Sequence, residues 1–251
     1  MKANQYIACT ISGDICDPRH GIFPLLKQLE NDSWQLVGTA FFITKLGLFL
    51  TAKHVLEDVL SNRKQIYPIA GFVSMPDNIV EIRPVTKAFF NVRGDVAAGF
   101  LANKTTDGGA RINPFYGLDL SDTTSIGEKV VTYAYPMTTI CDNQINLRAD
   151  YYDGKIIELH KNGRDQCLLP NACYRTSMNI QGGASGGPVF NHKGKVIAVN
   201  STSYDFDDSE SISFVSAIDS FLDVVLEDLF LPESEVQKCT IRDLYTLGMM
   251  S

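Results

Sequence analysis

The chain predicts an all-β fold, on three observations. About ten short apolar runs are bounded by Gly, Pro, Asn or Asp, no long helical periodicity precedes the C-terminal end, and 251 residues suit one large β unit or two small ones. Many short strands with few helices build a barrel or a sandwich.

In chain order the runs predict strands at 36–44, 48–51, 71–74, 96–101, 129–135, 151–159, 174–176, 189–190, 195–200 and 212–217. A short helix is expected just after His54, where Val55, Leu56, Val59 and Leu60 recur at helical spacing. A second is expected from Asp219 to Phe230, with Leu222, Val225, Leu226 and Leu229 as its apolar face and Pro232 ending it. The polar stretch KTTDGGARINP at 104–114 falls near the middle and suits a junction between two halves. Tyr204–Ser211, YDFDDSES, reads as an acidic solvated loop or as a loop touching substrate. Ile22, Phe23, Leu25, Leu26 and Leu29 imply that the N-terminal segment packs on something.

Composition narrows the function. Hydrophobic residues make up 45% and charged residues 20%, ordinary for a globular chain. The net charge of −7 argues against general nucleic-acid binding, which needs a basic face, and gives no attraction to an anionic membrane. No run approaches the roughly 18 apolar residues of a membrane span. The apolar run from Tyr6 to Ile11 is too short for a signal-peptide core, so a cytoplasmic location is expected. Cys9, Cys16, Cys141, Cys167, Cys173 and Cys239 are scattered, without metal-ligand spacing, and no bridge is demanded. No metal or organic cofactor is expected.

Three segments carry chemistry. GGASGGP at 182–188 surrounds Ser185 with glycines that let the backbone turn tightly. Such a turn can bring N–H groups to the point where acyl transfer builds an oxyanion. LFLTAKHV at 48–55 sets His54 at the end of an apolar strand; His20, His160 and His192 lie in polar, turn-like surroundings and read as surface residues. GDVAAGF at 94–100 puts Asp95 before an apolar strand, either as a turn residue or as the carboxylate that orients an imidazole.

The order His54, Asp95, Ser185, with each residue in its own strand–turn context, resembles the trypsin-like serine peptidases of chymotrypsin fold. LVGTAFFITKLGLFLTAKHV at 36–55 is similar to the segment that delivers the family's histidine. GDVAAGF is similar to its D-[IV]-A segment, and GGASGGPVF to its G-x-S-G-G-P loop. The likeness extends over roughly 36–230. It implies a chymotrypsin-like double six-stranded antiparallel β-barrel with a C-terminal helix. The expected division is an N-terminal extension (1–30), a first barrel (31–110), a second barrel with its closing helix (111–232) and a tail (233–251).

The resemblance also implies roles. Ser185 attacks, His54 takes its proton, Asp95 orients His54, and the backbone N–H groups of Gly183 and Ser185 form the oxyanion hole. The expected partner is a protein or peptide substrate. Counting back from Ser185 places Asn179 at the base of a specificity pocket, with Asn200, Ser201 and Thr202 along its wall. A neutral Asn179 does not imply cleavage after basic residues.

Two positions depart from the secreted digestive members. Ala184 stands where they carry an aspartate that pairs with a new N-terminus, and Val55 where they carry a bridged cysteine. In the first respect the chain looks more like bacterial HtrA-type peptidases, and the second supports the expected intracellular location. Two further readings stay open: a peptidase gated by an activating partner or ligand, and a silent binding or scaffold module that keeps the fold. An α/β-hydrolase is excluded, because it needs the order Ser, acid, His.

Overall fold

The computed structural model describes residues 8–60, 68–75, 79–91, 93–107, 111–112, 115–141, 144–204, 212–227 and 238–248. Twelve strands form two closed antiparallel barrels of six strands each. The first contains β1 (Ile22–Gln28), β2 (Trp34–Phe42), β3 (Leu48–Thr51), β4 (Ile69–Ser74), β5 (Val80–Phe90) and β6 (Ala97–Leu101). The second contains β7 (Lys129–Ala134), β8 (Asp150–His160), β9 (Cys173–Thr176), β10 (Pro188–Phe190), β11 (Val196–Tyr204) and β12 (Ile212–Ala217). The strand order repeats between them: β1-β2-β3-β6-β5-β4 in the first and β7-β8-β9-β12-β11-β10 in the second. Closure leaves neither barrel with an unpaired edge.

Alternation along each strand divides the apolar residues between two cores. In β2, β3 and β6, Ala40, Phe42, Phe49 and Ala97 fill the first barrel. Their neighbours Phe41, Leu50, Val96 and Ala98 face outward and join Phe190, Val196 and Val199 of the second barrel in one buried cluster. Each fully buried side chain of this size is worth roughly 1.5–3 kcal/mol. The barrels are thus joined by the outer faces of the strands that carry the site.

Two barrel strands were not expected. β1 lies within the segment assigned to an N-terminal extension, so the first barrel begins at Ile22 rather than near residue 31. Pro24 obscured it, since proline removes a ladder donor; here Pro24 sits opposite Thr39 in an otherwise regular pairing. β5 was hidden by an inverted pattern: Val80 and Ile82 are exposed, whereas Glu81 and Arg83 are buried. Burial of these charges is possible because they are paired, with Arg83 on Glu81 and Lys104 Nζ 2.9 Å from the same carboxylate.

The C-terminal end also differs from expectation. The helix beginning at Asp219 stops at Leu222 as α2 (Asp219–Leu222), and α1 is the helix after His54 (Lys53–Leu60). Val225–Glu227 is a strand paired with Lys238–Thr240. Leu226 alone is buried between two exposed neighbours, which is strand alternation and not a helical face. Leu229 lies outside the described residues, as do residues 205–211 of the acidic loop. Part of the expected tail forms α3 (Ile241–Thr246) and buries Ile241 and Leu244 against the inter-barrel cluster. Thr240 caps α3 with a reciprocal capping box to Asp243. Thr240→Ala is expected to cost ~1 kcal/mol, read as a fall of a few degrees in Tm by thermal unfolding.

Within the expected junction, Lys104–Thr105 pairs with Arg111–Ile112. Of the histidines read as surface residues, His192 is exposed, whereas His160 is half-buried with its ring 5.7 Å from that of Phe214. Cys9, Cys16, Cys167, Cys173 and Cys239 are free thiols, and burial pushes the Cys173 thiol up to about 11. Among the described residues no helix is long and apolar enough to cross a membrane.

Candidate active site

His54 is the second residue of α1, two residues beyond Ala52 and three beyond Thr51, the end of β3. The helix is seated by Val55 and Leu56, both buried in the first-barrel core. Asp95 lies in the turn between β5 and β6, closed by the Asn91 N–H donating to Val96 O at 3.1 Å. Val96 is fully buried immediately after it and anchors the turn. The two side chains meet: His54 Nδ1 is 2.9 Å and 3.0 Å from the two Asp95 carboxylate oxygens. The His54 backbone N–H donates to Asp95 Oδ1 at 3.0 Å. A carboxylate can only accept, so Nδ1 carries the ring proton and Nε2 is left basic. The Asp95 side chain is 10% exposed and that of His54 46%, so the acid is sheltered while the imidazole reaches the cleft.

Ser185 lies in the loop between β9 and β10. Gly186 N–H donates to Asn200 O at 2.8 Å, and Asn200 N–H returns a bond to Gly187 O at 2.9 Å. The Asn200 side-chain amide also donates to Ala184 O at 3.2 Å. From the first barrel, Thr39 N–H donates to Ser185 O at 2.8 Å and Thr39 Oγ1 to Gly183 O at 3.3 Å. Ala184 is fully buried in the second-barrel core. The loop is therefore ordered by Asn200 and Thr39, without the ion pair that an aspartate at position 184 would make.

Ala184 N–H donates to Gln181 O at 3.3 Å, and Gly183 has φ +88°. A positive φ at the third residue is the signature of a type II turn and is open to glycine. Among the described residues, the N–H groups of Gly183 and Ser185 donate to no backbone carbonyl. Both remain available to an incoming oxygen.

His54, Asp95 and Ser185 line one open cleft of about 960 Å³. A β-bulge interrupts β11 at Ser201, and Ser185 Oγ donates to Ser201 O at 3.4 Å, a long bond. The segment Gln166, Cys167 and Leu168 also lines the cleft. Its turn is held by Asp165, whose carboxyl lies well below the usual range because the Leu168 N–H, the Arg164 guanidinium and further backbone N–H groups stabilise the charged form.

A smaller cavity of about 30 Å³ adjoins Ser185, lined by Ile180, Gln181, Gly182, Asn200, Ser201, Thr202 and Phe214. Asn200, Ser201 and Thr202 are among these lining residues, and Asn179 is not. It is exposed between buried Met178 and Ile180. In extended chain, neighbouring residues face opposite sides, so Ile180 turns inward and Asn179 outward.

Sequence reasoning missed Thr39, whose contacts join the two barrels across the nucleophile loop. It also missed Asn171, which accepts the Asp95 N–H at 3.2 Å. Neither carries a motif; each is found only through a contact made by residues far apart in the chain.

The family model for the trypsin-like peptidase domain matches residues 38–199. No curated protein matches the chain by sequence. Among solved structures, Deg5 superposes with a TM-score of 0.59 at 17% identity, over 80% of this chain and 85% of Deg5. AlgW, an HtrA-type protease solved with a decapeptide, gives a TM-score of 0.57 at 15% identity, over 80% of this chain and 62% of AlgW. Rv3671c from M. tuberculosis H37Rv gives a TM-score of 0.54 at 18% identity, over 80% of this chain and 83% of its own. At these identities the structural likeness speaks for the fold. The family match spans both barrels and encloses the His54, Asp95 and Ser185 segments: the chain belongs to the trypsin-like peptidase family, whose members are serine peptidases.

Proposed function

We propose that the chain hydrolyses peptide bonds within proteins or peptides through His54, Asp95 and Ser185. The observation that carries this reading is the His54–Asp95 pair opening onto the cleft that Ser185 also lines. Ser185 Oγ attacks the scissile carbonyl while His54 Nε2 takes its proton. Asp95 holds the ring tautomer and stabilises the imidazolium. The N–H groups of Gly183 and Ser185 receive the oxyanion. Collapse expels the amine, which takes its proton from His54, and leaves an acyl group on Ser185. Water, deprotonated by His54, then releases the acid and restores the serine.

The residue before the scissile bond enters the small cavity between Ile180 and Phe214. Its volume of about 30 Å³ favours a short side chain, since about 10–15 Å³ by this measure is the space of one water. No buried charge lies among the residues lining it to hold a lysine or arginine. The contacts of Asn200 and Thr39 with the nucleophile loop favour a peptidase ordered in the isolated chain over one gated by a partner.

A fluorophosphonate serine-hydrolase probe tests the proposal. The wild-type chain is expected to be labelled, and Ser185→Ala, equally folded by circular dichroism, is not. A well-folded wild type that resists the probe and cleaves no peptide would leave the partner-gated peptidase and the silent binding module as the surviving readings.

A further inference from the structure

We propose that Asn171 is a positioning residue for Asp95: from the second barrel it holds the Asp95 backbone, and with it the carboxylate that orients His54. The inference rests on the peptidase reading and adds a residue to its machinery. The Asp95 N–H donates to Asn171 Oδ1 at 3.2 Å, and Asn171 Nδ2 donates to Ala172 O at 3.1 Å. A backbone N–H can only donate and a carbonyl can only accept, so both contacts fix the same orientation of the amide.

The amide has a rigid mount. Leu169 and Cys173, two residues to either side of it, are fully buried in one cluster with Phe214. Ala172 O also accepts the Ala217 N–H at 2.9 Å, which ties the segment to β12. On its other side the amide lies against Gly94, where a Cβ would be 2.9 Å from Asn171 Oδ1 and 3.1 Å from its Cβ and Cγ. The φ of Gly94 is not positive, so backbone geometry does not call for glycine there; the close approach of Asn171 does. Within the first barrel the Asn91–Val96 bond closes the Asp95 turn, and the His54 N–H meets the carboxylate. Asn171 adds the hold from the second barrel. Without it the Asp95 backbone is free to drift, and a misplacement of about 1 Å at a reacting group costs up to about 10²-fold in rate.

Steady-state kinetics and proton NMR on the full chain test the proposal, well below the Tm of each variant. Asn171→Ala is expected to lower kcat about tenfold with KM little changed. The His54 Nδ1 proton, deshielded by the Asp95 carboxylate, is expected far downfield in wild type and to lose or shift that signal in Asn171→Ala. Gly94→Ala is expected to reproduce both effects, because its Cβ pushes the amide off the Asp95 N–H. With the amide gone the collision disappears, so the double variant is expected to lose no more than Asn171→Ala alone. Wild-type kcat and an unmoved downfield proton in Asn171→Ala overturn the proposal. A loss confined to KM, or losses that multiply in the double variant, overturn it too. Fluorophosphonate labelling separates the two levels. A labelled wild type matched by Asn171→Ala in kcat and in the proton signal refutes the positioning alone. An unlabelled, inactive wild type refutes the peptidase reading, and the proton signal still decides whether Asn171 sets Asp95 against His54.

Discussion

Asp95→Asn is expected to lower kcat by about 10⁴-fold with little change in KM. The imidazole faces both carboxylate oxygens, with Nδ1 2.9 Å from one and 3.0 Å from the other. The His54 backbone N–H, which can only donate, holds the asparagine carbonyl oxygen at the Oδ1 position and so sets the NH₂ at the Oδ2 position, 3.0 Å from Nδ1. The ring answers by moving its proton to Nε2, where it can no longer accept from Ser185. Burial, packing and the turn of Asn91–Val96 are left in place, so thermal stability should change little. Steady-state kinetics with the best peptide substrate, together with the rate of fluorophosphonate labelling, provide the measurement. A loss of only a few-fold would mean that Asp95 merely closes its turn.

Gly186→Ala is expected to abolish labelling and cleavage and also to lower Tm. Gly186 has φ +85°, in the left-handed region. A Cβ there would lie 2.1 Å from both Thr39 O and Thr51 Oγ1. The backbone strain alone is about 1–2 kcal/mol. The collision cannot be relieved by rotating one side chain, because Thr39 O belongs to β2 and accepts from Thr51 Oγ1 at 2.8 Å. The loop must leave its seat, taking Ser185 away from His54. Gly182→Ala is the matched control: its Cβ would meet no heavy atom within 4 Å, and its φ is not positive. An unchanged Tm is expected for that variant, which makes it the control for folding. An active Gly186→Ala would show that the loop works in a position other than the one it takes against Thr39.

Much of the fold was legible because most strands obey one pattern. The run LFLT at 48–51 and the run ISFVSA at 212–217 appear as strands with the expected bounds. The segments that escaped break local rules for tertiary reasons. β5 exposes Val80 and Ile82 and buries Glu81 and Arg83, which only an internal ion pair permits. The 222–229 pattern fits a helix by spacing, yet Val225–Glu227 pairs with Lys238–Thr240, a partner that local periodicity cannot reveal.

The sequence by itself determined the chemistry-bearing segments, since tight glycine turns and strand-end residues leave local marks. It thereby singled out His54, Asp95 and Ser185 and the family to which the chain belongs. Only the tertiary structure decided what surrounds them. Ile180, and not Asn179, faces the small cavity, because the register of an extended segment is set by the core on which it packs. Thr39 and Asn171 hold the site because the barrels bring together residues 144 and 76 positions apart. Asn200 donates both amide hydrogens, to Thr132 and Ala184, while its buried Oδ1 meets no donor. Hydrogen-bond accounting of that kind is a property of the assembled core, and no single stretch of chain contains it.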